Sequence, residues 1–288
     1  MCFKTFRATV KTIIRSPLIW AAMALLFGVG VYFSLIINTG QIDIKTYEMV
    51  WDTDPRFVFS YKMYIQKVLN TLMAAPLMWF SAPAFCVIVT GVLLTRDWRD
   101  NFFEIERSAG VKPYQYLLGR FFAVLLFVTL LTLLTAFTAF HTYFLSRGGV
   151  SFLTPAEYFF DSSIRILRAF FMATFPGILI FVSFTFALSS IMKSGLAGTI
   201  GGLGLVIFKY LSQGILQNRL PGFYHNYLSP TSANLYRYWS FYDTEWFYEK
   251  TEHNPFTTHQ MLLCLSCLYL ISVICIGVSY LCVKKRKA

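Results

Sequence analysis

Charge is what this chain of 288 residues has least of, with Asp, Glu, Lys and Arg making up only 14% of it. An ordinary soluble domain carries about a quarter charged residues, so the shortage excludes that class. Acids are scarcer still, at 14 against 25 basic residues. No G-x-x-x-x-G-K-[ST] phosphate loop occurs, although Gly195, Gly198, Gly201, Gly202 and Gly204 crowd one apolar stretch. A nucleotide site of that kind also needs a strand before the loop, which an apolar helix does not supply. The four histidines, His141, His225, His253 and His259, lack metal-ligand spacing. No Ser-His-Asp arrangement is apparent, and no N-x-[ST] acceptor occurs, which is compatible with a bacterial plasma membrane. Cys2, Cys86, Cys264, Cys267, Cys275 and Cys282 fall outside the long polar loops, which argues against a disulfide framework. The C-x-x-C pair at 264 and 267 sits in an uncharged helix and reads as packing rather than redox or zinc chemistry.

Apolar residues fill the space the charges leave: 56% of the chain is hydrophobic, 18% is aromatic and the mean hydropathy is +0.56. Six runs, near 17–38, 71–95, 120–145, 169–192, 195–217 and 260–283, match the roughly 20 helical residues that cross about 30 Å of hydrocarbon. The expectation is an all-α polytopic membrane protein, one transmembrane domain over 1–288. Of the 25 basic residues, 14 lie in the short segments that face inward if the N-terminus is inside. Ten lie in outer loops of about twice that length, together with 10 of the 14 acids. This density places both termini in the cytoplasm, with Lys284–Lys287 the plainest sign. The net charge of +11 therefore reads as topology rather than nucleic-acid binding.

The polar segments differ in character. Over 1–16, Lys4, Arg7, Lys11 and Arg15 recur every three or four residues opposite Phe3, Phe6, Val10, Ile13 and Ile14. That spacing predicts an amphipathic helix in the inner interface, its basic side toward anionic lipid headgroups. The following apolar run is too long for a signal peptide and no small-residue cleavage site follows, so it reads as a retained first span. Residues 96–116 predict a short cytoplasmic helix over 97–109, capped by Asp97 and ended by Gly110 and Pro113. Its apolar stripe is Trp98, Phe102, Ile105 and Ala109, and it either lies on the membrane or docks into a soluble partner. Residues 39–70 form a mixed-charge outer loop, and 218–259 carry 12 aromatics that predict an interfacial or re-entrant outer segment.

Lys209 is the one charge deep in an apolar run. It lies about 21 Å along its helix from Gly195, roughly 9 Å from the outer face, so it either reaches that face or lines a substrate path. Gly198 and Gly202 have the spacing of close helix packing. Pro76, Pro83 and Pro176-Gly177 predict kinks or local irregularity.

The layout resembles the permease subunit of an ABC-2 type (type V) ATP-binding cassette exporter over essentially the whole chain. Two strings carry the resemblance locally. Residues 104–120, EIERSAGVKPYQYLLGR, are similar to the acidic stretch, Gly turn and LLG(K/R) entry into the third span of bacterial members. Residues 228–236, LSPTSANLY, are similar to their last outer segment. The resemblance implies that 97–109 is a coupling helix pressed into a separate ATP-binding subunit. Trp98, Phe102, Phe103 and Ile105 would be its docking knobs, with Glu104, Glu106 and Arg107 making polar contacts. It further implies a second permease copy, as homodimer or heterodimer, with the substrate path between second and fifth spans. This chain would bind no cofactor and no metal, ATP and Mg²⁺ being held by the partner. The implied cargo is hydrophobic or amphipathic: a drug, peptide antibiotic or lipid. A non-transport membrane partner, a sensor or assembly scaffold docking a cytoplasmic protein through the same helix, is the alternative. A membrane-embedded enzyme is disfavoured because acids, bases and metal ligands are missing from the spans.

Overall fold

The computed structural model describes residues 2–36, 81–146, 170–213 and 258–285, with a few isolated positions between them. Long apolar sequences in a medium without water must satisfy every peptide group internally, and the α-helix does so. The described residues accordingly form helices and contain no strand. They are α1 (Cys2–Ile14), α2 (Pro17–Ile36), α3 (Ala82–Arg99), α4 (Phe102–Ser108), α5 (Pro113–Ser146), α6 (Phe175–Met192), α7 (Gly195–Gln213) and α8 (Thr258–Lys284). A π-helical turn, Phe170–Thr174, leads into α6. Within α5–α8, the stretches Pro113–Ala139, Phe175–Met192, Gly195–Ser212 and Leu262–Lys284 are long and apolar enough to cross a membrane. The pair α1 and α2, bent by 69°, makes a fifth crossing if counted together. The chain is a polytopic membrane protein. Of the expected second span, 71–95, only the part from Ser81 is described; the loops 39–70 and most of 218–259, with Pro76, lie outside the described residues.

Helix α6 is the axis of the bundle, packed against α3, α5, α7 and α8. Small residues make that proximity possible. Ser183, Thr185, Ser189 and Ser190 are buried on α6, and Gly198 and Gly202 of α7 lie over Thr185 and Ser189. A Cβ on Gly202 would stand 2.6 Å from Thr185 Oγ1 and 2.7 Å from Val87, and one on Gly198 would stand 2.8 Å from Ser189 Cβ. The glycine spacing seen in the sequence thus serves packing within one chain, α7 against α6 and α3. The hydroxyls satisfy themselves locally: Thr185 Oγ1 donates to the Phe181 carbonyl at 2.7 Å and Thr90 Oγ1 to the Cys86 carbonyl at 2.6 Å. Pro176 stands in the first turn of α6, where its missing N–H costs nothing, and the π-helical turn just before it takes up the irregularity.

Lipid-length helices that bury one side leave apolar side chains on the other. Leu126, Leu130 and Leu134 of α5, Leu196, Ile200 and Ile207 of α7, and Leu270, Val273 and Ile274 of α8 are exposed. In water such surface would be a liability; in a bilayer it is the solvent-matched face.

Three contacts place several ends of the chain together. Thr5 Oγ1 of α1 donates to Glu106 Oε2 of α4 at 3.0 Å. Val283, near the end of α8, is buried in a cluster with Phe103 and Tyr116. Trp98 Nε1 of α3 donates to Ser189 Oγ of α6 at 2.8 Å. The N-terminal helix, the α3–α5 connection, the α6–α7 turn and the end of α8 therefore share one end of the bundle.

Candidate functional site: a buried polar joint at one end of the bundle

At that shared end lies the densest polar chemistry of the described residues. Arg120, two turns into α5, is 1% exposed and Asp97, in the last turn of α3, is 6% exposed. Arg120 Nη2 and Asp97 Oδ1 pair at 2.9 Å. Tyr116 precedes Arg120 by four residues, so both side chains leave the same face of α5. Its hydroxyl donates to Asp97 Oδ2 at 2.8 Å, so both carboxylate oxygens are engaged. Arg120 Nη1 donates to Thr9 Oγ1 of α1 at 2.8 Å, and Thr9 Oγ1 donates to the Thr5 carbonyl at 2.7 Å. The guanidinium also lies 4.4 Å from the centre of the Phe102 ring of α4, a cation–π distance. Arg120 Nε alone is left without a hydrogen-bond partner. One side chain from α5 thus holds α1, α3 and α4 at once.

Burial pushes the Asp97 carboxyl up to about 6, against the opposing pull of the Arg120 guanidinium and the Tyr116 hydroxyl. Such a pair is stable only while both partners are present. Removing one leaves an uncompensated buried charge, at a cost of about 3–5 kcal/mol. Arg99 and Asp100, next along the chain, also pair at 2.8 Å but are exposed, where solvent screening leaves the contact little weight.

The same geometry redraws the segment expected as one helix over 97–109. Asp97 does not cap it; α3 runs on to Arg99. Asn101 adopts a left-handed conformation at φ 49°, which breaks the path, and α4 restarts at Phe102 and ends at Ser108. Asn tolerates that conformation better than most residues because its short polar side chain bonds locally. Gly110, at φ 81°, then turns the chain back toward α5. The side chains expected as docking knobs point in several directions. Trp98 belongs to α3 and turns to α6; Phe103 is 5% exposed, its ring 5.2 Å from that of Tyr116; Phe102 lies against Arg120. Glu106 is engaged by Thr5. The outward edge of α4 is Glu104, Ile105, Arg107 and Ser108, with Ile105 58% exposed. Of the stripe read from the spacing, Trp98 and Phe102 turn to the interior while Ile105 and Ala109 are exposed, so the four do not form one face.

Helix α1 divides into three faces. Thr5, Thr9, Ile13 and Ser16 are buried against the bundle, Lys4, Arg7, Lys11 and Arg15 are exposed on another side, and Phe3 and Ile14 are exposed on the third. Ile13 was expected among the lipid-side residues but lies wholly inside. The bend into α2 is held by Trp20 Nε1, which donates to the Ile14 carbonyl at 2.6 Å.

Lys209 is remote from this joint. It is fully buried, its Nζ 6.0 Å from the centre of the Phe181 ring of α6, so its side chain turns into the bundle rather than toward the outer face. Ser212 Oγ donates to the Lys209 carbonyl at 2.7 Å, and Tyr224 Oη lies 3.4 Å from Ser212 Oγ. Among the described residues, no three His, Cys, Asp or Glu side chains converge as a metal site would require. The sequence pointed to Asp97 as a cap and to Arg120 as a margin residue; Thr5, Thr9 and Tyr116 carried no signal of their own. No protein-family model matches the chain, and no curated protein matches it.

Proposed function

We propose that this chain is the membrane-spanning permease subunit of an ATP-driven exporter of the ABC-2 type, with six spans, cytoplasmic termini and a second permease copy beside it. The observation that supports this most is the joint around Arg120. A seven-residue helix too short to be stable alone is braced by a hydrogen bond to Thr5 of α1 and by ring contacts to Arg120 and Tyr116 of α5, and Arg120 is itself tied to Asp97 of α3 and Thr9 of α1. A push on its outward edge reaches three other helices without passing through a flexible loop, which is what a lever between an ATP-binding subunit and a membrane path requires.

In this reading the ATP-binding subunit touches Glu104, Ile105 and Arg107, rather than the buried Phe103. ATP and Mg²⁺ stay on that subunit, and this chain makes no chemical step. The charged face of α1 and the cluster Lys284, Lys285, Arg286 and Lys287 then sit at the cytoplasmic surface of a bacterial plasma membrane. Cargo of hydrophobic or amphipathic character passes along the inner helices, with Lys209 beside α6 as a polar lining residue.

The test is affinity capture of the tagged full chain from its native membrane, in wild-type form and as Ile105→Asp. Wild type is expected to retain a polypeptide that carries nucleotide-binding motifs and hydrolyses ATP. Ile105→Asp is expected to insert normally and lose it. Wild-type chain that brings down no such ATPase refutes the permease reading and favours the scaffold alternative.

A further inference from the structure

The exposed sides of α1 carry a chemical signature that the joint does not use. At about 100° per residue, Lys4, Arg7, Lys11 and Arg15 fall within an arc of about 80°, roughly opposite the buried line Thr5, Thr9, Ile13 and Ser16. All four are exposed, and α1 and α2 contain no Asp or Glu. Between the basic arc and the buried line runs an apolar stripe: Phe3 is 73% and Ile14 51% exposed, with Phe6 and Val10 half-buried. The bend of 69° from α2 lays α1 far from the direction of the spans. A helix so placed presents its apolar stripe to the acyl boundary and its cations to the headgroup layer.

We infer that the Lys4–Arg7–Lys11–Arg15 face binds the phosphate groups of an anionic phospholipid surface, and that this binding is read by α4 through Thr5 and Thr9. The occupant is set by charge and by the neighbouring stripe: four cations without an acid call for a polyanionic layer, and exposed Phe3 and Ile14 call for the hydrocarbon beneath it. The readout is set by hydrogen bonds. The residues that seat α1 against the bundle, Thr5 and Thr9, are those that reach Glu106 of α4 and Arg120 of α5. Anionic lipid that holds α1 flat therefore also holds the two contacts on which the position of α4 depends. Lipid charge becomes a regulator of the short helix, and through it of whatever docks there. The inference rests on the chain spanning a membrane and on nothing about an ATP-binding partner.

The experiment measures amide exchange of the full-length chain in nanodiscs of phosphatidylcholine alone and of phosphatidylcholine with about one third phosphatidylglycerol. Each basic residue near such a surface adds about fivefold to association, so exchange over residues 2–15 is expected to slow by tenfold or more with the anionic lipid. The slowing should disappear at about 0.5 M salt, where screening is nearly complete, and in the K4Q/R7Q/K11Q/R15Q variant. Residues 102–108 should slow in parallel, and Thr5→Val with Thr9→Val should remove that parallel change while leaving the response of 2–15. Equal exchange in the two lipids overturns the site. A response kept by the four-fold variant also overturns it, as does the same slowing produced by inorganic phosphate added to neutral discs. A response of 2–15 without one at 102–108 in wild type overturns the link to α4. Should the four-fold variant fail to fold, as judged by exchange over α6, the salt titration of wild type decides. No ATP-binding subunit is present, so the result is independent of the permease reading.

Discussion

Arg120 is the side chain on which the joint can be tested most sharply. Replacement by Met keeps the aliphatic length but leaves Asp97 buried with only the Tyr116 hydroxyl, and frees Thr9 from its contact across to α5. Breaking one partner of such a pair costs about 3–5 kcal/mol. Asp97→Asn strands the guanidinium but also relieves a costly buried negative charge, so it is expected to cost less than the Arg120 change, about 1–3 kcal/mol. The double variant removes both charges and is expected to cost far less than the two single changes added together, with a coupling of about 2 kcal/mol or more. Arg120→Lys should recover only part, since one ammonium cannot serve Asp97, Thr9 and the Phe102 ring together. The assay is thermal or denaturant unfolding of the purified chain in a fixed detergent, for wild type, both single variants and the double. The pH dependence supplies an independent sign. The Asp97 carboxyl lies near 6 in the folded protein, against 3.8 for a free group. Between those values the folded state holds more protons than the unfolded one, so this group's contribution to stability falls as pH rises from about 4 to 6. Asp97→Asn should flatten that slope. Additive single changes of under about 1 kcal/mol each, with an unchanged pH slope, would refute the joint.

Three further outcomes follow from the packing. Gly202→Val drives a side chain into Thr185 and Val87 and should destabilise by about 1–3 kcal/mol, whereas Gly204→Ala, which meets nothing within 4 Å, should be neutral or slightly stabilising by the same melt. Trp98→Phe deletes the donor to Ser189 Oγ and is expected to cost about 1 kcal/mol; combined with Ser189→Ala it should cost little more than either alone. Lys209→Met replaces a buried ammonium, set 6.0 Å from the centre of the Phe181 ring, with a thioether of similar length. Reconstituted transport by that variant should fall if Lys209 lines the cargo path, and unaltered transport removes the residue from it.

The sequence alone was enough for the class of protein, because a solvent without hydrogen bonds permits few solutions. Runs of about twenty apolar residues must be helices, and their ends must lie near the first charges. The starts of α2 at Pro17 and α7 at Gly195 agree with the expected runs, and α8, Thr258–Lys284, contains its run. The glycine pair at 198 and 202 was legible as close packing because only missing side chains allow it. The polar joint was not legible. Asp97 and Arg120 are 23 positions apart, and Arg120 and Thr9 are 111 apart; no local period relates residues on separate helices. One left-handed residue, Asn101, was enough to turn a single expected amphipathic helix into the end of one and the start of another. That break directs Phe103 inward and Ile105 outward, a choice made by the neighbours that α4 meets rather than by its own spacing. Local hydrophobicity decides what a segment is in a bilayer; which polar groups come to share one buried site is decided only when the helices close on one another.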